Sequence, residues 1–305
     1  MSLVLVVVRQ VIIMFVMVMC GTLLYHGHKL SMDGVRNMGN ILIYLVIPCV
    51  IIRSFQLERT PETMRGLLFS GIAGLAVLCL SVLVSHLTFR KDGIAAFASA
   101  FSNPGFFGIP LITAVLGQEA VFYAAFFIAF LNLGQWTWGI STMTGESPRK
   151  GFSLNRLMKA PFVVAIVVGL ILYFTGLQLP EIVNSCLSSI AAVNTPMAMI
   201  CIGVYLAQTP IRHMLMQKKL YLILLMRLLV IPLLSLALLL IFPASMRDMR
   251  LAVLLEAACP VGANIAVYAQ IHHQNYTYAV ETVIFSTLLS IATLPLITYL
   301  AGLLL

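Results

Sequence analysis

The chain has 305 residues, of which 61% are hydrophobic and only 9% charged, with a mean hydropathy of +1.04. Soluble domains carry about 25% charged residues, so most of this surface faces something other than water and an ordinary soluble globule is excluded. The net charge of +8, from 18 Lys+Arg against 10 Asp+Glu, sits mostly in short loops between apolar runs, where it sets membrane orientation and does not point to nucleic acid.

A membrane helix needs about 20 mainly apolar residues, and polar breaks recur here at about that interval. Continuous apolar runs such as Phe162–Phe174 do not alternate as barrel strands do, which leaves helices. The chain therefore reads as an all-α integral membrane protein with about ten transmembrane helices. The first five spans are predicted at 3–25, 34–53, 66–88, 93–116 and 119–141. The next five are predicted at 159–177, 184–207, 219–242, 250–271 and 275–303. The first apolar run, interrupted at Arg9 and Gln10, continues to Tyr25, longer than the core of a signal peptide, and is expected to remain as a span. Six cysteines lie in or beside apolar stretches without a CxxC pair, so neither a disulfide framework nor a metal site is expected.

With the N-terminus outside, eleven Lys and Arg fall in cytoplasmic loops against six outside. Both termini are therefore expected outside a cell (plasma) membrane. Residues 142–158, with Gly145, Pro148 and Gly151, read as a cytoplasmic linker between a first repeat (1–141) and a second (159–305). Five spans on each side make the second half enter the membrane in the opposite sense, the arithmetic of two inverted five-helix repeats.

Helix breakers mark the same symmetry. Span 2 holds Pro48 and span 7 holds Pro196. Span 4 holds Asn103-Pro104-Gly105 and Gly108-Ile109-Pro110, and span 9 holds Pro260, Gly262 and Asn264. Pro232 and Pro295 have no counterparts in the first half. An interior proline costs about 3 kcal/mol in an ordinary helix, and paired interrupted spans in matching halves point to a transport site. Spans 4 and 9 are the expected discontinuous pair.

The stretch Ser102-Asn103-Pro104-Gly105-Phe106-Phe107-Gly108-Ile109-Pro110-Leu111 resembles the fourth-span signature of the auxin efflux carrier family of bacterial permeases and plant auxin carriers. Ala258-Cys259-Pro260-Val261-Gly262-Ala263-Asn264 resembles its ninth-span segment, and Ser286-Thr287-Leu288-Leu289-Ser290 with Thr293-Leu294-Pro295 its tenth. The resemblance spans essentially the whole chain and implies ten spans in which broken helices 4 and 9 cross at mid-membrane. It also implies that Asn103 and Asn264 contact a substrate carboxylate there. The plant signature places its proline before the Asn, whereas here Ser102 precedes and Pro104 follows. The long central loop of many plant carriers is also lacking.

The physics of such a crossing suits an anion. Half-helices that begin inside the membrane present free N–H groups and positive dipole ends, and Asn amides add neutral donors. The candidate substrate-binding residues are Asn103, Pro104, Gly105, Pro260, Gly262 and Asn264. Both Asn also fit as plain helix caps. The crossing segments contain no Asp, against the cation antiporter alternative. Glu256, one turn before Pro260, Glu281 and Arg227 are the candidate intramembrane charges, for coupling or for pairing with one another. No cofactor is expected, and H+ or Na+ coupling is left open. Trp136 and Trp138 read as interfacial anchors.

The expected function is secondary active transport of a small organic anion by alternating access. The alternative is a channel or membrane receptor of the same fold. An intramembrane enzyme is disfavoured, because the chain has no HExxH, no intramembrane Asp pair and no Gly-x-Ser-x-Gly. The expected partners are the substrate and the lipid bilayer. A homodimer is left open, because Gly105 and Gly108 are too close for a GxxxG interface.

Overall fold

The structure, a computed structural model, describes residues 3–146 and 158–305. Most of the expected linker, residues 147–157, lies outside the described residues. Among the described residues the chain is helical, in the order α1 (Leu3–His26), α2 (Met32–Ser54), α3 (Pro61–Thr88), α4 (Gly93–Ala100), α5 (Pro104–Leu116) and α6 (Gln118–Thr144). The second half comprises α7 (Pro161–Thr175), α8 (Glu181–Gln208), α9 (Ile211–Met216), α10 (Lys218–Leu239), α11 (Arg247–Ala258), α12 (Asn264–Ile271) and α13 (Tyr276–Leu304). Seven of these are long and apolar enough to cross a bilayer, and α7 is a shorter apolar helix of 15 residues. Spans 4 and 9 are each broken, as α4–α5 and α11–α12. The architecture is thus ten spans in two five-helix repeats.

Contacts between loops sort the chain into two faces. Asp92 meets Lys219 (3.9 Å) and Tyr278 (3.3 Å), and His213 meets Glu281 (2.7 Å), which gathers the loops after α3, α8 and α12 on one face. On the other face Arg59 donates to the Phe174 carbonyl (3.0 Å) and Arg250 to the Leu305 carbonyl (3.1 Å). Corresponding spans of the two halves therefore run in opposite senses.

The spans do not pack repeat against repeat. Spans 1, 2, 6 and 7 form one layer, with α1 along the second half of α8 and α2 against α7 and α8. Spans 3, 4, 5, 8, 9 and 10 form the other, in which α3 packs on α6 and α11 lies between α10, α3 and α6. Each repeat gives its first two spans to one layer and its last three to the other.

The prolines are absorbed in three ways. In α2, α5 and α10 a five-residue π stretch (Leu42–Val46, Pro104–Gly108, Met226–Val230) leads directly into Ile47-Pro48, Ile109-Pro110 and Ile231-Pro232. The wider turn makes room for the ring and re-pairs backbone groups that lipid leaves unsatisfied. Pro196 follows an offset of α8 after Ala192, and Pro295 is carried inside α13. Only spans 4 and 9 unwind completely.

The α1–α8 contact depends on small residues, as membrane helix pairs do without a hydrophobic drive between them. A Cβ on Gly21 would strike the Ile200 carbonyl, and one on Gly203 the Val18 carbonyl. Thr22 Oγ1 donates to the Gly203 carbonyl at 2.9 Å across this seam. Gly203→Val is expected to destabilise the fold by about 1–3 kcal/mol, read as a lower thermal midpoint in detergent; an unchanged midpoint would show that the seam tolerates separation.

Candidate functional site at the helix crossing

The unwound segments meet backbone to backbone. Asn103 N–H donates to the Pro260 carbonyl (2.9 Å) and Gly262 N–H to the Phe101 carbonyl (3.0 Å), an antiparallel bridge centred on Ser102 and Val261. A Cβ on Gly262 would lie 2.6 Å from the Ser102 carbonyl oxygen, so glycine is required for this approach. Val261 N–H is taken by Ser286 Oγ of α13 (2.9 Å), which gives the tenth-span serine a concrete task.

Two helix C-termini and two helix N-termini converge here, and their polarities are handled differently. The C-termini of α4 and α11 carry unpaired carbonyls and negative dipole ends. Arg227 of α10, only 1% exposed, serves both: Nη1 donates to the Ser99 (3.2 Å) and Ala100 (3.1 Å) carbonyls, and Nη2 to the Ala257 carbonyl. One planar guanidinium fork reaches both helix ends, which a lysine point charge does not match.

The N-termini of α5 and α12 border a cavity of about 720 Å³ between the two layers. Its wall takes Asn103, Pro104, Gly105, Gly262 and Asn264 from the crossing, Tyr44 and Ile47 from α2, and Gln135 and Trp136 from α6. Five of the six predicted substrate residues are thus brought together. Pro260 is not on the wall; it contributes its carbonyl to the bridge. The cavity extends to Lys159 and Pro161 at the start of α7, the end joined to the linker segment.

Asn103 is the N-cap of α5, its Oδ1 accepting from Phe106 N–H at 3.4 Å, while its Nδ2 is buried with no partner among the described residues. Ser102 Oγ beside it is likewise unpartnered. Capping and an available donor therefore coexist in one side chain. Asn264 does not cap: it is the first residue of α12 and its Nδ2 donates to Gln135 Oε1 (3.1 Å). Asn194 Nδ2, at the offset in α8, reaches the Gly105 carbonyl at 3.4 Å, a polar contact from the other layer.

The three intramembrane charges do not pair with one another. Glu281 is 1% exposed and bound near the loop face by His213 Nδ1 (2.7 Å) and Gln217 Nε2 (2.5 Å), away from the crossing. Glu256 is fully buried on α11, and neither carboxyl oxygen has a partner among the described residues. Gln135 and the cavity role of Trp136 were missed in the sequence. Trp136 Nε1 donates to Tyr268 OH (2.6 Å) in the cavity wall, a role beyond the interfacial anchoring expected of it. The available signal was a run of polar side chains, Asn132, Gln135 and Thr137, inside an apolar span.

A family model described as membrane transport protein matches the chain twice, over residues 6–151 and 149–298. An uncharacterized transporter of Methanothermobacter thermautotrophicus is 26% identical over 306 aligned positions, covering 94% of this chain and 96% of that protein. A protein of Rhizobium meliloti with the name "Putative malonate transporter" is 25% identical over 279 positions, covering 86% of each chain.

Removing the Arg227 fork orphans three buried carbonyls. Arg227→Met is expected to destabilise the protein by about 3 kcal/mol or more, since each orphaned group costs about 1–3 kcal/mol, with Arg227→Lys between the two. Thermal unfolding in detergent checks this order, and equal midpoints for all three would contradict it.

Proposed function

The chain belongs to the membrane transport protein family, and from that premise we propose that it carries a small organic carboxylate across the cell membrane by alternating access, with the substrate held at the crossing. The observation that carries this reading is the buried, unpartnered Asn103 amide on the wall of a cavity whose one charged lining side chain, among the described residues, is Lys159. A carboxylate there would accept from Asn103 Nδ2 and from the α5 and α12 N-termini, where helix dipoles favour negative charge. Asn264 and Gln135, now paired to each other, would turn a donor toward the same anion.

The malonate assignment carried in the name of the Rhizobium relative favours short mono- and dicarboxylates, and the cavity of about 720 Å³ has ample room for them. Lys159 offers a counter-charge for a second carboxylate. With the linker cytoplasmic and both termini outside, the cavity opens inward. Because it lies between the two layers, sliding the six-span layer against the four-span layer would carry the crossing to the other face. The first repeat (1–141), linker (142–158) and second repeat (159–305) supply the symmetry that makes the two openings equivalent.

Malonate is the first ligand to test. A ligand at a hundredfold excess over Kd raises stability by about 2.7 kcal/mol, so a screen of short carboxylates is expected to raise the thermal midpoint. Asn103→Ala and Asn264→Ala are each expected to weaken the best ligand about tenfold or more, the loss of about 1.4 kcal/mol. Full stabilisation retained in both variants would reduce the two Asn to structural roles.

A further inference from the structure

We propose that Glu256 binds and releases a proton in each transport cycle, so that the carboxylate and a proton move together; this rests on the reading of the crossing as a carboxylate site. Glu256 sits one turn before Pro260, fully buried, with both carboxyl oxygens unpartnered. It does not line the 720 Å³ cavity. Its Cγ packs at the back of the crossing, 3.5 Å from where a Cβ on Gly108 would stand, against the first turns of α5 whose cap is Asn103. The carboxyl is therefore coupled mechanically to the element that presents the substrate donor.

An ionised carboxylate buried without a hydrogen bond is costly, so an unpartnered Glu256 carboxyl suits the neutral acid better than the ion. Its natural counter-ion is engaged elsewhere. Arg227 grips the carbonyl of the next residue, Ala257, while its own Nε has no partner among the described residues. Arg227 therefore does not neutralise Glu256, whose carboxyl is left without a counter-ion among the described residues.

The other titratable side chains of the surrounding elements face away or are occupied. On α11, Cys259 lies one turn on, Arg247 and Asp248 are exposed, and Arg250 is bound to the Ala244 and Leu305 carbonyls. Helix α5 has none. On α3, Glu62, Arg65, Cys79 and His86 are exposed, as are Glu119 of α6 and Tyr299 of α13. Tyr123 of α6 packs on Gly66, Tyr276 and Tyr278 lie in the first turn of α13 near the loop face, and Glu281 is held by His213. On α10, apart from Arg227, Lys218 and Lys219 lie at the loop end and Tyr221 is exposed.

Charge accounting explains the pairing of cargo and proton. With the substrate bound, the proton on Glu256 offsets one carboxylate charge. After substrate and proton leave, Glu256 itself supplies that negative charge beside the crossing. For a monocarboxylate, loaded and empty crossings then carry matching charge through the low-dielectric layer; a dianion such as malonate adds one further negative charge to the loaded state.

The test uses the full chain in proteoliposomes with radiolabelled malonate. The unsubstituted protein is expected to exchange malonate and to accelerate net uptake under an inward proton gradient. Glu256→Gln, which mimics the neutral acid, is expected to retain exchange and lose the acceleration. Acceleration retained in Glu256→Gln overturns the assignment, as does uptake driven by sodium and indifferent to the proton gradient. No exchange of any short carboxylate by the unsubstituted protein overturns the substrate reading and this one with it; exchange without a proton response overturns this one alone. Should Glu256→Gln also lose exchange, Glu256→Asp decides: a displaced pH profile of uptake supports the site, and an unchanged one overturns it.

Discussion

The rest of the structure depends on the pair of backbone hydrogen bonds that join the two unwound segments. Breaking a helix inside a bilayer exposes N–H and C=O groups with no water to receive them, each costing several kcal/mol. The chain meets this by laying one break against the other, so that Asn103 and Gly262 donate across the crossing to Pro260 and Phe101. What remains unsatisfied is sorted by sign. Carbonyl ends are gathered onto Arg227, and amide ends face the cavity. The amide ends are thus turned to the cavity without any basic side chain on the crossing segments themselves.

That arrangement also dictates the layers. The broken spans must be enclosed so that their backbone is covered by protein, and spans 3, 5, 8 and 10 do this. The remaining four spans form a separate layer joined through the close glycine seam of α1 and α8. The cavity falls at the boundary between them. Few polar contacts bridge that boundary near the site; the Asn194 contact to the Gly105 carbonyl, long at 3.4 Å, is one. The proposed sliding of one layer on the other would run along this boundary.

The sequence was most informative where backbone chemistry is written in residue type. Ten spans followed from apolar run length, and the breaks followed from Asn103-Pro104-Gly105 and from Pro260 with Gly262, since no uninterrupted helix accommodates those residues easily. Prolines 48, 110 and 232 looked like comparable breakers, yet each is absorbed by a π stretch, a local adjustment that has no residue signature beyond the Ile-Pro that follows it. Partner choice was less legible. Arg227 had two candidate carboxylates in the sequence but bonds to carbonyls, because two helix C-termini arrive at its depth. Glu281 is held by His213, a loop residue brought close only by the fold. Gln135 and Trp136 reach the cavity from a span whose neighbours in space are not its neighbours in sequence.

Direct observation of the protein with malonate bound, by electron cryo-microscopy in nanodiscs, tests the central claim most directly. The account predicts density for the anion in the cavity between the layers, with one carboxylate within hydrogen-bond distance of Asn103 Nδ2 and facing the first turns of α5 and α12. Malonate bound elsewhere, with the Asn103 amide still unpartnered and the crossing empty, would contradict it.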